Sequence, residues 1–368
     1  MRIPSLIAML FLAAVPVLPP GCSGSGVEAA HEPSGYFSYA EYVDVIRSGD
    51  TVSVVTVSPF DGTSDTLSVG VPVRNVVCMA SNYVACLSAV GRDSVISAVS
   101  GARYISDPRV RARYPGSLYD IGYGATLDLE RIIGLGPDFV AAYTVSAAES
   151  SQMSRVGDAG IPVLCLYDNF EHHPLARAEY IRLFGILSGR RETADSLFAA
   201  VEARYLSLSH RFSSLADSSG CPVKVLLNIP YGGAWYIPGS ENYMSHLIRD
   251  AGGEVLGARP GKTESSVVTL EKALLLSREA DFWLNPGWCG TRSQLEGVNP
   301  MFSLFLGKDS LKIFNNIRRL SPDGGNDFWE SGAVRPDLIL GDLVRIFHAG
   351  DFPGGNQADS LYFYVQVN

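Results

Sequence analysis

Leu129-Glu130-Arg131-Ile132-Ile133-Gly134-Leu135-Gly136-Pro137-Asp138-Phe139, in the first half of the chain, has a counterpart in the second half, Leu270-Glu271-Lys272 running to Asp281-Phe282. In each copy a short amphipathic segment with Leu and Glu at its start leads into a brief apolar run, residues 139–142 in one and 282–284 in the other. A helix feeding a buried parallel strand has this pattern. One such unit in each half predicts an α/β protein of two lobes, and two lobes enclose a cleft.

Apolar runs at 76–79, 95–99, 139–142 and 163–166, each bounded by Gly, Pro, Asn or Asp, alternate with helical stretches and predict a parallel sheet for the first lobe, residues 76–174. The second lobe, 220–368, repeats the scheme with runs at 223–229, 282–284 and 311–314. Between them, 175–219 reads as helix. Ala194, Leu197, Phe198, Val201, Tyr205, Leu208, Phe212 and Leu215 recur at spacings of three and four, one face of a helix. Ser188-Gly189 is expected to break the stretch in two, because Gly costs about 1 kcal/mol in a helix interior. The second helix would be roughly 40 Å long, a stiff connector. Ahead of the first lobe, 36–75 reads as a β-hairpin, with strands at 51–57 and 67–73 around the turn Pro59-Phe60-Asp61-Gly62. A helix at 336–348 and an apolar tail at 361–367, closing a sheet edge, end the chain.

With 368 residues the chain can bury two ordinary cores, and 46% apolar against 18% charged residues describes a globular protein. A net charge of −9, with Arg190-Arg191 and Arg318-Arg319 only as pairs, excludes nucleic acid as the main partner. Arg2 and the apolar residues 6–18 read as a secretory signal, too short and proline-rich to span a membrane. Cys22 follows the small residue Gly21 and precedes a Gly/Ser/Pro tether at 23–35. The arrangement resembles a bacterial lipoprotein signal, in which Cys22 would carry the lipid. Pro19-Pro20 departs from the usual pattern. The other five cysteines are irregularly spaced, with no CxxC, and most read as small buried hydrophobes.

Enzyme motifs are missing: the sequence has no GxSxG elbow, no HExxH and no P-loop, and Gly122-Tyr123-Gly124 lacks the third glycine of a dinucleotide fingerprint. Glu130 and Glu271 read as favourable negative charges near helix starts. Ligands of α/β lobes sit outside the carboxyl ends of the strands. The loops expected there offer Asn82, Tyr83, Tyr143 and Glu171 in the first lobe, and Tyr231, Trp235, Tyr236, Trp288, Arg292 and Arg318 in the second. Aromatic rings dominate, and stacking adds about 0.5 to 1.5 kcal/mol per ring beyond area burial. Gly232-Gly233 lets the backbone approach a ligand closely, which singles out Trp235 along with Trp288. The six histidines are scattered, and the adjacent His172-His173 would point apart.

A lipoprotein-like signal, two α/β lobes and one long connecting helix together resemble the substrate-binding proteins of cobalamin and iron-complex ABC importers. The similarity is sharpest at 127–172, where Leu-Asp-Leu-Glu-Arg-Ile-Ile is followed by Gly-Pro-Asp-Phe-Val and then Gly160-Ile161-Pro162-Val163, and at 323–348, which looks like the family's C-terminal helix. His172-His173-Pro174-Leu175-Ala176-Arg177-Ala178-Glu179-Tyr180 resembles the phrase that opens the inter-lobe helices in members from Bacteroidetes-like bacteria. What the resemblance implies is two Rossmann-like lobes joined by a long rigid α-helix, with the ligand cleft between them. It also implies a monomeric receptor without cofactor or enzymatic activity, anchored in the cell envelope. Such a receptor captures a metal chelate, whether cobalamin, haem or a ferric siderophore, and hands it to an ABC permease dimer with its ATPase. Family members offer one surface glutamate per lobe to the permease, and Glu149 and Glu254 match those positions. A tetrapyrrole or planar iron complex would suit the aromatic wall, and an anionic siderophore would call on Arg292 and Arg318. A zinc or manganese receptor of the same fold, a lipoprotein that binds its ligand without transport, and a chelatase using Glu171-His172 are the competing readings.

Overall fold

A computed structural model describes residues 35–123, 126–143, 147–219, 221–308, 310–351 and 361–368. The signal, Cys22 and nearly all of the tether fall outside the described residues. The chain enters as an extended strap, 36–42, and forms an antiparallel meander of β1 (Val43–Ser48), β2 (Thr51–Val57) and β3 (Ser64–Gly70). The expected hairpin is thus three-stranded, because the polar-looking Val-Asp-Val-Ile-Arg-Ser run of β1 alternates inward at Val43 and Val45.

The first lobe contains β4 (Val76–Cys78), α1 (Ser81–Ala89), β5 (Ile96–Val99), α2 (Pro108–Arg111), β6 (Tyr119–Asp120), α3 (Leu129–Leu135), β7 (Phe139–Tyr143), α4 (Ala147–Asp158) and β8 (Val163–Leu166). Its strands are all parallel in the order β6-β5-β4-β7-β8. The chain winds out from the central strand and then restarts on its other side, which places a switch point between β4 and β7. Two helices follow, α5 (Pro174–Leu187) and the 29-residue α6 (Arg191–Ser219), separated where Gly189 takes φ +72.

The second lobe contains β9 (Val223–Leu227), β10 (Trp235–Ile237), α7 (Tyr243–Asp250), β11 (Gly253–Val255), β12 (Ser266–Val268), α8 (Leu270–Glu279), β13 (Phe282–Leu284), α9 (Arg292–Val298), α10 (Phe302–Leu306), β14 (Lys312–Asn315), α11 (Ser331–Val334), α12 (Pro336–Phe347) and β15 (Val365–Gln366). Its main sheet, β11-β9-β13-β14-β15, is parallel except for β15, which the apolar tail adds antiparallel to β14. β10 and β12 form a separate antiparallel ribbon.

The repeated Asp-Phe phrase has a structural job. Asp138 accepts backbone N–H bonds from Arg74 and Asn75, at 2.6 and 2.9 Å, while Asp281 accepts one from Lys224 at 2.9 Å. In each lobe this carboxylate ties the start of one strand to the entry of its parallel neighbour, β4 or β9. One hydrophobic cluster then runs from the meander through α1 and α5 to α7 and α12, so the inner faces of both sheets share a core. The outer faces have their own clusters, around Val140 and Ile132 in the first lobe and around Trp283 and Phe302 in the second.

Candidate functional site

The carboxyl ends of the strands carry the candidate site. In the second lobe, β9 and β13 lie side by side, and each is followed by an asparagine in the left-handed region, Asn228 at φ 69 and Asn285 at φ 58. Asn tolerates that conformation better than other residues with a Cβ, and such positions concentrate at functional loops. Three residues beyond each asparagine an aromatic ring projects into solvent: Tyr231, 82% exposed, and Trp288, 67% exposed. Asn315, fully buried at the end of β14, donates to the carbonyls of Gly287 and Cys289 at 2.9 and 2.8 Å and so fixes the loop that carries Trp288.

In the first lobe the organising group is Asp120, at the end of β6. Its carboxylate accepts from the N–H groups of Gly101, Ala102 and Gly122 at 3.0, 2.8 and 2.9 Å. Those bonds shape the loops that present Tyr104 and Tyr123, both exposed. Tyr143 donates its hydroxyl to that of Tyr123 at 3.1 Å. Trp329, between β14 and α11, is a further exposed ring, and Phe60 at the β2–β3 turn packs edge-on against Phe170 just past β8. Tyr104, Tyr123 and Trp329 were not among the residues expected from sequence. An Asn-x-x-aromatic phrase directly after an apolar run marks Tyr231 and Trp288, but no comparable local signal marks the other three.

The remaining expected residues divide by location. Asn82 and Tyr83 are buried and point at one another's partner: the Asn82 amide and the Tyr83 hydroxyl donate to the two oxygens of Asp168, at 2.7 and 2.8 Å. Arg177 adds an ion pair to Asp168 at 3.3 Å and lies over the Tyr243 ring at 4.5 Å. Burial, reinforced by the Asp168 charge, holds the Tyr83 phenol well above its ordinary range. The cluster is buried, and its polar groups are bonded to one another.

Trp235 is a correction. It is 1% exposed, its indole N–H donates to the Leu227 carbonyl at 2.8 Å, and its ring stacks on Phe305. Strand β10 alternates, so Trp235 and Ile237 turn inward and Tyr236 outward, and the Asn228 amide at the end of β9 donates to the Tyr236 carbonyl at 3.1 Å. Glu171 is a second correction. Its oxygens accept the N–H groups of Glu41 and Tyr42 at 3.0 to 3.2 Å and the Tyr180 hydroxyl at 3.1 Å, holding the strap. Arg292 opens α9 with its backbone N–H on the Asn368 carbonyl, and Arg318 is exposed just beyond β14. Glu254 is exposed on β11, and the Glu149 side chain falls outside what is described. Among the described residues, no three His, Cys, Asp or Glu side chains gather as a metal-ligand set.

The family model for periplasmic binding proteins matches residues 76–299. An uncharacterised lipoprotein of Methanocaldococcus jannaschii is 22% identical over 311 residues, covering 82% of this chain and 71% of the relative. Among solved structures, a periplasmic haem-binding protein from Pseudomonas aeruginosa superposes with a TM-score of 0.59 at 17% identity, covering 80% of this chain and 98% of the other. The siderophore-binding protein FhuD of Vibrio cholerae, bound to ferric Desferal, gives 0.53 at 15% identity, covering 74% and 99%. At these identities the structural likeness is one of fold.

Proposed function

The chain belongs to the periplasmic binding protein family, whose members bind solutes and are not enzymes, and we propose that this member captures a metal chelate between its lobes and delivers it to an ABC permease from a lipid anchor at Cys22. The observation that carries the reading is the set of exposed rings on strand-end loops of both lobes: Tyr104 and Tyr123 from one, Tyr231, Trp288 and Trp329 from the other. Large rings left in water at ligand-binding loops suit a broad, flat, partly apolar ligand. That favours a tetrapyrrole over a compact anionic siderophore. The haem and ferric-siderophore partners of the structural neighbours belong to the same chelate class.

The test is a thermal-shift screen of the protein against cobalamin, haem, several ferric siderophores, and free zinc and manganese. Ligand at 100 times its Kd adds about 2.7 kcal/mol to native stability and shifts Tm by several degrees. Trp288→Ala is expected to weaken the active chelate roughly tenfold without lowering the ligand-free Tm. A shift with free zinc alone would favour the metal-ion receptor instead, and no shift with any chelate would defeat the proposal.

Docking to the permease has a structural candidate in the repeat itself. Both α3 and α8 run back from the carboxyl edge of their sheets into β7 and β13, so both begin on the edge that holds the ligand loops. Asp128 and Thr269 cap the two helices, and Glu130 and Glu271 stand exposed in the first turns. The family resemblance points to Glu149 and Glu254 as the docking pair, and these lie on α4 and β11. Two carboxylates at equivalent places in two lobes give an approaching permease a fixed bearing through arginine pairing. Reversing both with Glu130→Lys and Glu271→Lys should cut cellular uptake at least tenfold while chelate affinity holds. If reversal of Glu149 and Glu254 has that effect instead, docking returns to them; if neither pair matters, the permease step is lost.

A further inference from the structure

Past β14 the second lobe reaches across to the first. Helix α11 packs on α1 of the first lobe and on α5, and the segment that leads into it, 325–330, meets the first-lobe segment 104–107. Glu330, 1% exposed, accepts the N–H groups of Ser106 and Asp107 on its two oxygens, each at 2.7 Å. Gly325 lies so close to the Tyr104 carbonyl that a Cβ there would collide with it. Its backbone is outside the left-handed region, so the close approach alone calls for glycine.

Both sides of the junction are braced. In the second lobe the Ser321 N–H donates to the Gly325 carbonyl and the Gly325 N–H to the Ser321 hydroxyl, at 2.7 and 2.8 Å, while Asp327 holds Arg319 at 2.6 Å. In the first, Tyr104 donates its N–H to the Gly101 carbonyl at 2.8 Å, the Gly101 N–H is held by Asp120, and Asp107 caps α2. Two stiff pieces in contact act as a stop. Two of the exposed rings sit beside it, Tyr104 two residues before Ser106 and Trp329 one before Glu330.

We propose that Glu330 and Gly325 are specificity-determining positions: they fix the separation at which the lobes hold Tyr104 and Trp329, and so the thickness of chelate that the cleft accepts. A carboxylate that takes two backbone amides from the other lobe draws the segments together, and the missing Cβ of Gly325 lets them touch. A pocket of fixed shape discriminates by fit, and a mismatch the size of one methyl group changes relative affinity roughly tenfold or more. The choice of ligand rests on the chelate reading, whereas the separation of the lobes is a property of the protein without ligand.

The experiment makes two measurements on the full-length protein. Without ligand, electron paramagnetic resonance gives the distance between spin labels carried by ketone-bearing amino acids in place of Ile133 on α3 and Leu275 on α8, both exposed. Gly325→Ala should lengthen that distance, and Glu330→Ala should broaden it toward longer values, with Glu330→Gln in between. The ligand-free Tm of each variant checks folding, and either position decides alone if a variant at the other does not fold. Titration with haem, a flat probe, and cyanocobalamin, a thick one with groups on both faces of its ring, should then show affinity for haem relative to cyanocobalamin falling roughly tenfold in the Gly325→Ala and Glu330→Ala variants. Unchanged distances in folded variants overturn the stop. Longer distances with an unchanged affinity ratio overturn the specificity role. If neither probe binds the wild type, the tetrapyrrole reading fails and takes the specificity role with it, while the distances still decide the stop.

Discussion

Glu179→Ala is expected to cost the protein about 3 to 5 kcal/mol of stability, the range for removing one member of a buried, hydrogen-bonded charge pair. Glu179 is wholly buried on α5, and both oxygens are engaged. One accepts the Ser38 N–H and an Arg182 N–H, each at 2.8 Å, and the other accepts the N–H groups of Tyr39 and Ala40 at 2.8 and 3.0 Å. Truncation leaves three strap amides without their acceptor and leaves Arg182 with Asp195 as its remaining carboxylate, at 2.9 Å. Glu179→Gln keeps one acceptor but turns an NH2 toward the strap amides, so it should fall between wild type and alanine. Urea unfolding reads the loss, and limited proteolysis shows whether the strap at 36–42 is the first segment released. An alanine variant within 0.5 kcal/mol of wild type would mean that the strap contributes little to the fold.

The same carboxylate shows where sequence reading runs out. Two lobes, their alternating strands and the connecting helices were legible because hydrophobic periodicity is local. The Asp-Phe repeat was legible as a unit, although its role, tying two parallel strands, required the partner amides. Glu171 and Glu179 bind backbone N–H groups roughly 130 to 140 residues upstream. An amide donor has no side chain and leaves no mark in the sequence, so Glu171 looked available for a ligand. Trp235 was misplaced for a different reason. The phrase Trp235-Tyr236-Ile237 alternates as a strand does, but the preceding Gly232-Gly233 is a loop signal. Tyr104, Tyr123 and Trp329 escaped notice because tertiary bonds position their loops, Asp120 for the first two.

Stability is expected to fall as pH rises from about 4.5 through 7, by about 3 kcal/mol for each of two buried carboxylates. Burial, opposed in part by bonds from backbone amides, pushes Glu171 and Glu330 from 4.5 up to about 7. Glu330 is the one between the lobes: its oxygens accept the N–H groups of Ser106 and Asp107, each at 2.7 Å, and Asp327 and Asp107 add like charge nearby. A raised carboxyl pKa means that the folded state holds its proton more tightly than the unfolded state does. Its contribution is therefore complete below pH 4.5, declines as pH climbs, and is gone above about 7. Carboxylates held below their ordinary range, among them Asp107 and Asp195, act in the opposite sense and lose their contribution only as pH drops toward and below 4. Maximum stability should accordingly lie near pH 5 instead of at neutrality. Glu330→Gln removes one of the two titrations, so the stability difference between pH 5 and pH 8, measured by urea unfolding, should shrink by about half. Equal pH dependence in the variant and the wild type would show that the carboxylate between the lobes ionises freely in the folded protein. The lobe contact would then carry no proton at neutral pH.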